Sequence, residues 1–513
     1  MEHMKHQSEA NMSRTIIDYL EKQKDNSCTA YIDGDTEVSF KDILGKAKVI
    51  ASNLSAYLKP GEPAAILSGR HTGTIAGYLG IVYAGCYYAP IDGEMPVSRI
   101  SKILSLLNPS VLITDAEFRK TAEECGYSGK LLSLEELSEG TADEEVIRAR
   151  TAHYDGSDPL YVLFTSGSSG VPKGVLTGQE SVMNYIDAVC EVLDVKEDDV
   201  LGNQAPLDYI AAIRDIYIPF LTGCKTVILP KKEFAMPSLL FRTLIRNGVT
   251  ILCWSAAGLE TLARLKAFDC KPEDLPVQLK TILFSGSVMP GKVLRQYQEH
   301  LPRTRFINQY GPTEATASCT YYEVDHVVAE DEVLPIGVPY RNYTIFLRRE
   351  DGSEAEPGET AEICVGGPGV TIGYYKDPER TALSYIADPR DPGKRLYRTG
   401  DYGRYREDGL LEFHGRMDRQ VKHFGHRIEL DEIEGAAGRI DGVEGCYAYY
   451  DREKEVLCLA YAGTALKSDI AKAFRKDFPA FMVPRKVTQL EEIPKLPNGK
   501  TDMSKLREIL KGQ

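Results

Sequence analysis

A strand pattern followed by a loop of small and hydroxyl-bearing residues is the part of the chain best suited to chemistry. Residues 160–164 form an apolar run, and residues 165–174 read Thr-Ser-Gly-Ser-Ser-Gly-Val-Pro-Lys-Gly. Small residues let backbone N–H groups close around an anion, hydroxyls add donors, and Lys173 supplies a positive charge. The Walker motif requires Ser or Thr directly after its lysine, but Gly174 stands there. The loop therefore predicts a phosphate site of another kind, although its composition alone also fits a flexible surface loop.

Four further motifs follow this loop. They are Asn-Gln-Tyr-Gly-Pro-Thr-Glu at 308–314, Tyr-Arg-Thr-Gly-Asp at 397–401, Gly-Arg-Met-Asp at 415–418 and Pro-Asn-Gly-Lys-Thr-Asp at 497–502. In order and rough spacing, the five motifs resemble the adenylate-forming enzyme superfamily, which contains acyl-CoA synthetases, luciferases and peptide-synthetase adenylation domains. The resemblance runs from about Cys28 to Leu506. Residues 420–422 and 425–430 are similar to the amino-acid-adenylating branch, in particular to stand-alone enzymes such as the D-alanine–carrier protein ligases.

Composition and charge narrow the class of protein. A chain of 513 residues exceeds one compact core, so we expect two or more domains. The net charge of −14 argues against nucleic acid as a partner, because its phosphates would be repelled. The 11 cysteines include no Cys-x-x-Cys pair, which argues against a zinc site and favours the reducing cytoplasm. We find neither an 18-residue uncharged apolar span nor a signal peptide, so we expect no membrane span.

Alternating strand and helix patterns predict an α/β fold. Strand patterns at 64–67, 87–91 and 111–114 alternate with helical patterns such as 74–84 and 239–247, which indicates layers built on parallel sheets. From about residue 334, short β segments with Gly-rich turns indicate a barrel-like β subdomain.

The pattern then changes near residue 415 to that of a small α+β unit. Its helix patterns cover 430–439 and 468–478, and its strand patterns cover 444–450, 456–462 and 484–490. We expect residues 1–415 to form the N-terminal adenylation core, which binds ATP and the acid. Residues 416–513 would form a mobile C-terminal lid hinged at Asp418; the alternative is one continuous domain.

The resemblance implies that the core binds ATP and Mg²⁺. Tyr310 would stack on adenine, Asn308 would bond its amino group, and Asp401 would accept both ribose hydroxyls. Glu314 would be the metal ligand. The purely structural alternatives are that Tyr310 is a core tyrosine, that Asp401 is a turn residue and that Glu314 caps or pairs near a helix start. The residues implied in nucleotide binding are Thr165, Ser166, Gly167, Ser168, Gly170, Lys173, Asn308, Tyr310, Gly311, Thr313, Asp401, Arg416 and Lys500.

The resemblance also implies two half-reactions with alternating use of the lid. Adenylation brings two anions together, so positive charge and orientation are its main requirements. Lys500 would reach both the carboxylate and the α-phosphate, unless it is only a solvated turn lysine. The lid would then rotate at Asp418 and present the face around Gly425 to a thiol of coenzyme A or of a carrier's phosphopantetheine. The catalytic set implied is Lys500, Thr165, Lys173 and Glu314.

The acid pocket departs from the amino-acid-adenylating pattern. That branch pairs the substrate ammonium with an Asp, but an ungapped match places Ile210 there, and Asp208 takes the position only with two extra residues. The substrate could therefore be a β-amino acid or an acid without an amine. We expect Arg214 and Asp215 to face outward as a helical ion pair. The other implied pocket positions are Ala257, Leu283, Ser285, Gly286, Gln309, Ala317 and Ser318.

The leading hypothesis is an AMP-forming ligase that loads a small amino or carboxylic acid onto a carrier protein. We expect the carrier to be a separate protein, because no carrier domain follows the final motif in the sequence up to Gln513. An acyl-CoA synthetase that uses free coenzyme A is the alternative, and a non-catalytic nucleotide-binding protein is the alternative from another class. A Walker-type NTPase does not fit the loop. Basic residues of the lid are candidates for contacting the carrier: Lys422, Arg427, Arg439 and Arg452.

Overall fold

A computed structural model describes residues 14–166, 172–416, 419–423, 426–451, 454–494, 501, 505–506 and 509–510. The chain divides into two compact units. The larger comprises Met1–Gly93, Leu104–Leu163 and Gly174–Met417, and the smaller comprises Glu94–Ile103, Phe164–Lys173 and Asp418–Gln513.

The described part of the chain contains α-helices in both units. In chain order they are α1 (Ile16–Lys22), α2 (Phe40–Leu54), α3 (Thr72–Tyr83), α4 (Val97–Leu107), α5 (Arg119–Glu124), α6 (Leu134–Leu137), α7 (Glu144–Thr151), α8 (Gln179–Leu193), α9 (Ala212–Thr222), α10 (Pro237–Arg246), α11 (Ala256–Arg264), α12 (Gly291–His300), α13 (Pro378–Ser384), α14 (Leu430–Ala437) and α15 (Lys467–Asp477).

The strands alternate with these helices over most of the larger unit. In chain order they are β1 (Thr29–Asp33), β2 (Thr36–Ser39), β3 (Pro63–Ser68), β4 (Tyr87–Asp92), β5 (Val111–Thr114), β6 (Lys130–Ser133), β7 (Pro159–Thr165), β8 (Lys173–Gly178), β9 (Val200–Asn203), β10 (Lys225–Ile228), β11 (Ile251–Ser255), β12 (Thr281–Ser285), β13 (Arg305–Tyr310), β14 (Thr320–Val324), β15 (Val338–Pro339), β16 (Thr344–Arg348), β17 (Ala361–Gly366), β18 (Gly373–Tyr374), β19 (Tyr385–Asp388), β20 (Asp391–Tyr405), β21 (Leu411–Arg416), β22 (Gln420–His423), β23 (His426–Glu429), β24 (Val443–Asp451), β25 (Val456–Gly463) and β26 (Lys486–Leu490).

Two large sheets carry most of these strands. One has the order β15-β14-β13-β12-β11-β9-β10-β1-β2, and its strands from β13 to β1 pair in parallel. The other has the order β18-β8-β7-β4-β3-β5-β6. In the third sheet of the larger unit, the long strand β20 pairs with β17, β19 and β21. The predicted α/β class with mainly parallel sheets is confirmed, and the β subdomain expected after residue 334 corresponds to this third sheet.

The nine-stranded sheet separates two hydrophobic cores. Cys253, Leu283 and Ile307 are in register on β11, β12 and β13 and belong to one core, together with residues of α8 and α9. Their strand neighbours Trp254 and Phe284 belong to the other core. Successive side chains of a strand point to opposite faces, so the residue numbers along these strands determine which face each side chain occupies.

Helix α9 is held in place by contacts that replace a missing helical hydrogen bond. Pro219 lies inside the helix and has no N–H to donate to the carbonyl four residues earlier. The hydroxyl of Thr226 on β10 donates to that carbonyl, of Asp215, at 2.9 Å. Tyr31 on β1 donates to the next carbonyl, of Ile216, at 2.6 Å. The nine-stranded sheet thereby fixes the helix that carries Arg214 and Asp215.

The smaller unit has its own core. Strands β24, β25 and β26 form one sheet, and β22 pairs with β23. On α15, Ile470 and Phe474 are four residues apart and both buried, which is the spacing of one helix face. They pack with Ile433 of α14 and Leu459 of β25. Across the described residues of both units, no helix is long and apolar enough to cross a membrane.

Candidate functional site

Several predicted pocket and nucleoside residues lie at or next to the carboxyl ends of strands in the nine-stranded sheet, among them Ala257, Ser285 and Tyr310. Strands β9, β11, β12 and β13 run parallel and end at Asn203, Ser255, Ser285 and Tyr310. In open parallel sheets, ligands bind outside the carboxyl ends of the strands. This edge is therefore the candidate site in the larger unit.

Tyr310, Asp401 and Arg416 form one hydrogen-bonded group. The phenol of Tyr310 donates to Oδ2 of Asp401 at 2.5 Å, and Arg416 pairs with the other carboxylate oxygen. Arg416 also donates to the carbonyl of Thr399 at 3.2 Å, and the Thr399 hydroxyl accepts from the Asp401 amide at 3.0 Å. Burial and the nearby Asp401 charge raise the pKa of Tyr310, so the phenol remains a donor at neutral pH. An aromatic ring, a carboxylate and a guanidinium thus lie together, and the sequence resemblance assigned these three residues to nucleotide binding.

Asn308 occupies a neighbouring position on β13. Its side-chain amide donates to the carbonyl of Pro335 at 2.8 Å, and the residue is buried. This bond orients the amide and leaves Oδ1 as the acceptor. An acceptor oxygen on the strand that ends at Tyr310 suits the exocyclic amine of adenine.

The loop after β13 is tightly folded and strained. A Cβ at Gly311 would lie 2.3 Å from Cα of Ser318, so only glycine fits there. Thr316 and Ala317 both have left-handed backbones, with φ of +53° and +70°. A left-handed conformation costs a non-glycine residue about 1–2 kcal/mol and is often found at functional sites. Thr316 is fixed by a 2.7 Å bond from its hydroxyl to the carbonyl of Gly369.

Glu314 lies inside this loop and has no exposed surface. The Tyr374 hydroxyl donates to Oε1 of Glu314 at 2.7 Å, and the Thr371 amide donates to the Glu314 carbonyl at 3.0 Å. A carboxylate oxygen is the ligand type that Mg²⁺ prefers, and Mg²⁺ in nucleotide sites uses few protein carboxylates. The donor set therefore fits the ion. Among the described residues, no group of three or more His, Cys, Asp or Glu side chains is placed to hold a metal.

The phosphate-loop prediction is only partly within the described residues. Thr165 ends β7, and its buried hydroxyl has no hydrogen-bond partner in the described part of the chain. Ser166 is buried and donates to the carbonyl of Arg427 at 2.7 Å within the smaller unit. Lys173 is partly exposed at the start of β8. Five other predicted positions lie outside the described residues: Gly167, Ser168, Gly170, Asp418 and Lys500.

Three predicted pocket residues share one face of the sheet. Leu283 and Ser285 are two residues apart on β12, and Gln309 follows Ile307 by two on β13. Because Leu283 and Ile307 are in register, all four side chains point the same way. Leu283 and Gln309 are buried, whereas Ser285 is partly exposed.

The other pocket positions differ in depth. Ile210 and Ser318 are buried, and the partly exposed positions are Asp208, Ala257, Gly286 and Ala317. Burial and the nearby charge of Asp92 raise the pKa of Asp208 to about 7. Asp208 therefore carries a proton for part of the time at neutral pH.

Arg214 and Asp215 do not face outward, so that expectation was wrong. Their exposed fractions are 1% and 2%. Arg214 donates to Oε1 of Gln309 at 2.6 Å, and Asp215 accepts from Asn203 at 2.7 Å. Burial raises the pKa of Asp215 to about 6, against the opposing influence of Arg214 and Asn203. The sequence held a signal for this: α9 reads Ala-Ile-Arg-Asp-Ile-Tyr-Ile-Pro-Phe-Leu-Thr, which is apolar on every face, and such a helix is buried all round.

Comparison with known proteins gives consistent matches over almost the whole chain. The family described as AMP-binding enzyme matches residues 19–375. The D-alanine--D-alanyl carrier protein ligase of Bacillus licheniformis is 31% identical over 510 residues, which cover 96% of this chain and 98% of that protein. Bacitracin synthase 1 of Bacillus licheniformis is 31% identical over 505 residues, which cover 97% of this chain but 9% of the synthase.

The fold is also shared with solved structures. NpsA-ThdA, an artificially fused adenylation–PCP di-domain NRPS from Klebsiella oxytoca, superimposes with a TM-score of 0.81 at 22% identity. The match covers 93% of this chain and 94% of that one. At this level of identity the likeness concerns the fold alone.

Proposed function

The chain belongs to the AMP-binding enzyme family and forms adenylates, and we propose that it loads a small carboxylic or amino acid onto the phosphopantetheine thiol of a separate carrier protein. ATP would supply the adenylate, and Mg²⁺ would accompany it. We place the reaction in the cytoplasm, where the expected reduced cysteines would persist.

The group formed by Tyr310, Asp401 and Arg416 is the observation that carries this proposal. Its aromatic ring and its carboxylate come from β13 and β20, strands of different sheets. A carboxylate held by a phenol and a guanidinium can exchange those contacts for the two hydroxyls of a ribose. The ring of Tyr310 gives a base a flat surface, so the group suits the AMP portion of an acyl adenylate.

In the first half-reaction, an oxygen of the substrate carboxylate would attack the α-phosphorus of ATP. A new O–P bond forms, the bond to the β-phosphate oxygen breaks, and pyrophosphate leaves. Lys173 and the hydroxyl of Thr165 would hold the departing phosphates, while Thr313 and Lys500 would contact the α-phosphate. Mg²⁺ held through Glu314 would reduce the repulsion between the anions.

In the second half-reaction, a thiol would attack the acyl carbon. A C–S bond forms, the acyl C–O bond to the phosphate breaks so that AMP leaves, and the thiol proton is lost to solvent. The nucleophile is therefore the incoming thiol, and no cysteine of this chain need act as one. A carrier protein is favoured as the thiol donor because the relatives that match over full length are named carrier protein ligases. Basic residues of the smaller unit are candidates for contacting it: Lys422, Arg427 and Arg439 are described, whereas Arg452 is not.

Pyrophosphate exchange into ATP across a panel of acids tests the first step. Transfer of the activated acid to a phosphopantetheinylated carrier, compared with free coenzyme A, tests the second. We expect acid-dependent exchange and much faster loading of the carrier. Efficient turnover with free coenzyme A would make the protein an acyl-CoA synthetase, and ATP binding without exchange for any acid would make it a non-catalytic nucleotide-binding protein.

Charge reversal at an exposed lid residue separates carrier docking from chemistry. Arg439 is exposed on the loop after α14 and lies outside the candidate site in the larger unit. Arg439→Glu should slow carrier loading and leave pyrophosphate exchange unchanged, because docking to an acidic carrier depends on local basic contacts. Equal carrier-loading rates for Arg439→Glu and the unmodified protein would remove Arg439 from the docking surface.

A further inference from the structure

Arg214 is a buried cation whose hydrogen-bonding capacity is incompletely used. A guanidinium has five N–H donors. Nη1 donates to Oε1 of Gln309 at 2.6 Å and, at 3.4 Å, to the hydroxyl of Tyr185. Nη2 donates to the carbonyl of Cys253 at 3.4 Å, and Nε has no hydrogen-bond partner. The guanidinium therefore has only one short hydrogen bond, and its acceptor is the neutral side-chain amide of Gln309.

Among the described residues, no hydrogen bond or ion pair joins Arg214 to a carboxylate. The adjacent Asp215 acts on Arg214 through its charge but makes no hydrogen bond to it, because one of its oxygens accepts from Asn203 and the other has no partner. Burying a charge without a paired, hydrogen-bonded counter-charge is costly. A cation kept only to stabilise the core would be expected to have such a partner.

The unsatisfied side of the guanidinium is the one that best fits a carboxylate. Nε–H and one proton of Nη2 lie on the same edge of the planar group and point in parallel directions. Gln309 and Tyr185 occupy Nη1, away from that edge, and the edge carries only the 3.4 Å bond from Nη2 to the Cys253 carbonyl. A carboxylate can accept two parallel bonds from the Nε–Nη2 edge, and such two-bond pairs are strong.

The position of Arg214 connects it to the acid pocket. It bonds Gln309 and Cys253, which lie on the sheet face that carries Leu283 and Ser285. Ser285 at the strand end is partly exposed, as are Gly286 and Ala317, whereas Arg214 is buried. Arg214 therefore contacts the sheet two residues inward of the strand end Ser255, on the face that carries the partly exposed Ser285.

We propose that Arg214 determines substrate specificity by pairing with a second carboxylate, so that the acid activated is a short dicarboxylic acid. This deepens the proposed function and rests on it. One carboxylate reacts near the strand ends, and the other enters the pocket and engages Arg214. Ile210, four residues before Arg214 and outside α9, is buried and apolar and offers nothing to an α-ammonium. The acid pocket thus has the apolar Ile210 where the amino-acid-adenylating pattern has an anion, and it has a buried cation, Arg214, four residues later.

Matched acids test this directly on the full-length protein. Succinate and glutarate are compared with butyrate, pentanoate, monomethyl succinate and L-aspartate, both in pyrophosphate exchange and by thermal stabilisation of the protein without ATP. We expect the diacids to be preferred over the monoacids of equal length by about 10- to 100-fold in kcat/KM, because a charged hydrogen-bonded pair is lost with the monoacid. L-Aspartate should be no better than succinate.

Two substitutions assign the preference to Arg214. Arg214→Met keeps similar volume without charge and should abolish the diacid preference and the thermal stabilisation by succinate, while exchange with butyrate is retained or increased. Arg214→Lys keeps the charge but not the two-bond edge, so its preference should be intermediate. Arg246→Met, at an exposed arginine of α10, is the control and should behave as the unmodified protein.

The outcomes separate this inference from the proposed function. Two results would overturn the inference and leave the adenylation proposal intact. The first is pyrophosphate exchange that prefers monoacids or amino acids. The second is a fall in exchange rate in Arg214→Met that is equal for all acids. No exchange with any acid overturns the adenylation proposal, and absence of thermal stabilisation by diacids then overturns the inference as well. If Arg214→Met does not fold, the acid preference and thermal shifts of the unmodified protein decide.

Discussion

Tyr310 donates its phenolic hydrogen to Asp401 at 2.5 Å, although the two residues are 91 positions apart and belong to different sheets. Tyr310 ends β13 of the nine-stranded sheet, and Asp401 lies in the long strand β20. The same carboxylate pairs with Arg416, which β21 brings into register opposite Asp401. The bond therefore joins two sheets of the larger unit at the point where the ribose is expected.

Replacing Asp401 tests its assignment to the ribose. Asp401→Asn removes the charge and one acceptor, so we expect KM for ATP to rise by about 10- to 100-fold, the loss typical of a charged hydrogen bond. The unmodified protein should discriminate against 2′-deoxy-ATP and 3′-deoxy-ATP, and the variant should discriminate less. Steady-state pyrophosphate exchange measures both effects.

The control for Asp401 is an aspartate on the following turn. Asp408 is half-exposed and pairs with Arg406, so Asp408→Asn removes a similar charge away from the site. It should leave KM for each nucleotide unchanged. Equal discrimination against the deoxynucleotides in Asp401→Asn and the unmodified protein would remove Asp401 from the ribose site.

The prediction for Lys500 depends on the resemblance, because this residue lies outside the described part of the chain. Lys500→Ala should lower adenylate formation by about 100- to 1,000-fold, since one missing donor to a developing charge has this effect in other enzymes. Thiol transfer from a supplied acyl adenylate should be almost unchanged. Lys505→Ala is the control, at an exposed lysine five residues later. Equal losses in both half-reactions would contradict the alternating use of the lid.

The sequence was sufficient for the elements whose pattern is local. The strand predicted at 111–114 is observed at those residues, and the helix predicted at 239–247 is observed as Pro237–Arg246. In both, apolar spacing determines the structure because the buried face is set by neighbouring residues. Sequence motifs also identified Tyr310 and Asp401 as candidate site residues. Their direct hydrogen bond could not be predicted from the sequence, because it depends on how two sheets pack.

The error at Arg214 and Asp215 has a different physical cause. Two adjacent residues of opposite charge usually occupy a solvated helix face, and that general preference was applied to α9. The exception depends on contacts with Gln309 on β13 and with Asn203 at the end of β9, which sequence spacing does not reveal. The apolar residues on both sides of the pair were the available local signal.

Strain at Ala317 provides a test of how the loop positions the site. In Ala317→Gly the left-handed backbone no longer carries a penalty of about 1–2 kcal/mol, which should offset the entropic cost of the added glycine. We therefore expect an unchanged or higher Tm but a lower kcat in pyrophosphate exchange, because the loop that carries Thr313 and Glu314 is less fixed. Ala315→Gly is the matched control at a buried residue without positive φ, and its Tm should fall. A fall in Tm of equal size for both variants would contradict stored strain at Ala317.

The raised pKa of Asp208 predicts a pH-dependent effect on stability. An unfolded Asp titrates near 3.8, whereas burial and Asp92 raise the pKa of Asp208 to about 7 in the folded protein. Below pH 4 both states are protonated, and between pH 4 and 7 folding takes up a proton, so rising pH destabilises the fold by up to about 1.4 kcal/mol per pH unit. Above pH 7 both states are ionised and the penalty stays constant.

Asp208→Asn removes this titration, so the Tm of the variant relative to the unmodified protein should increase from pH 4 to 7 and then level off. Asp35→Asn, at a fully exposed side chain, should show no such trend. Differential scanning fluorimetry at matched ionic strength measures the difference, and a Tm gap that is constant across this range would show that Asp208 is ionised throughout.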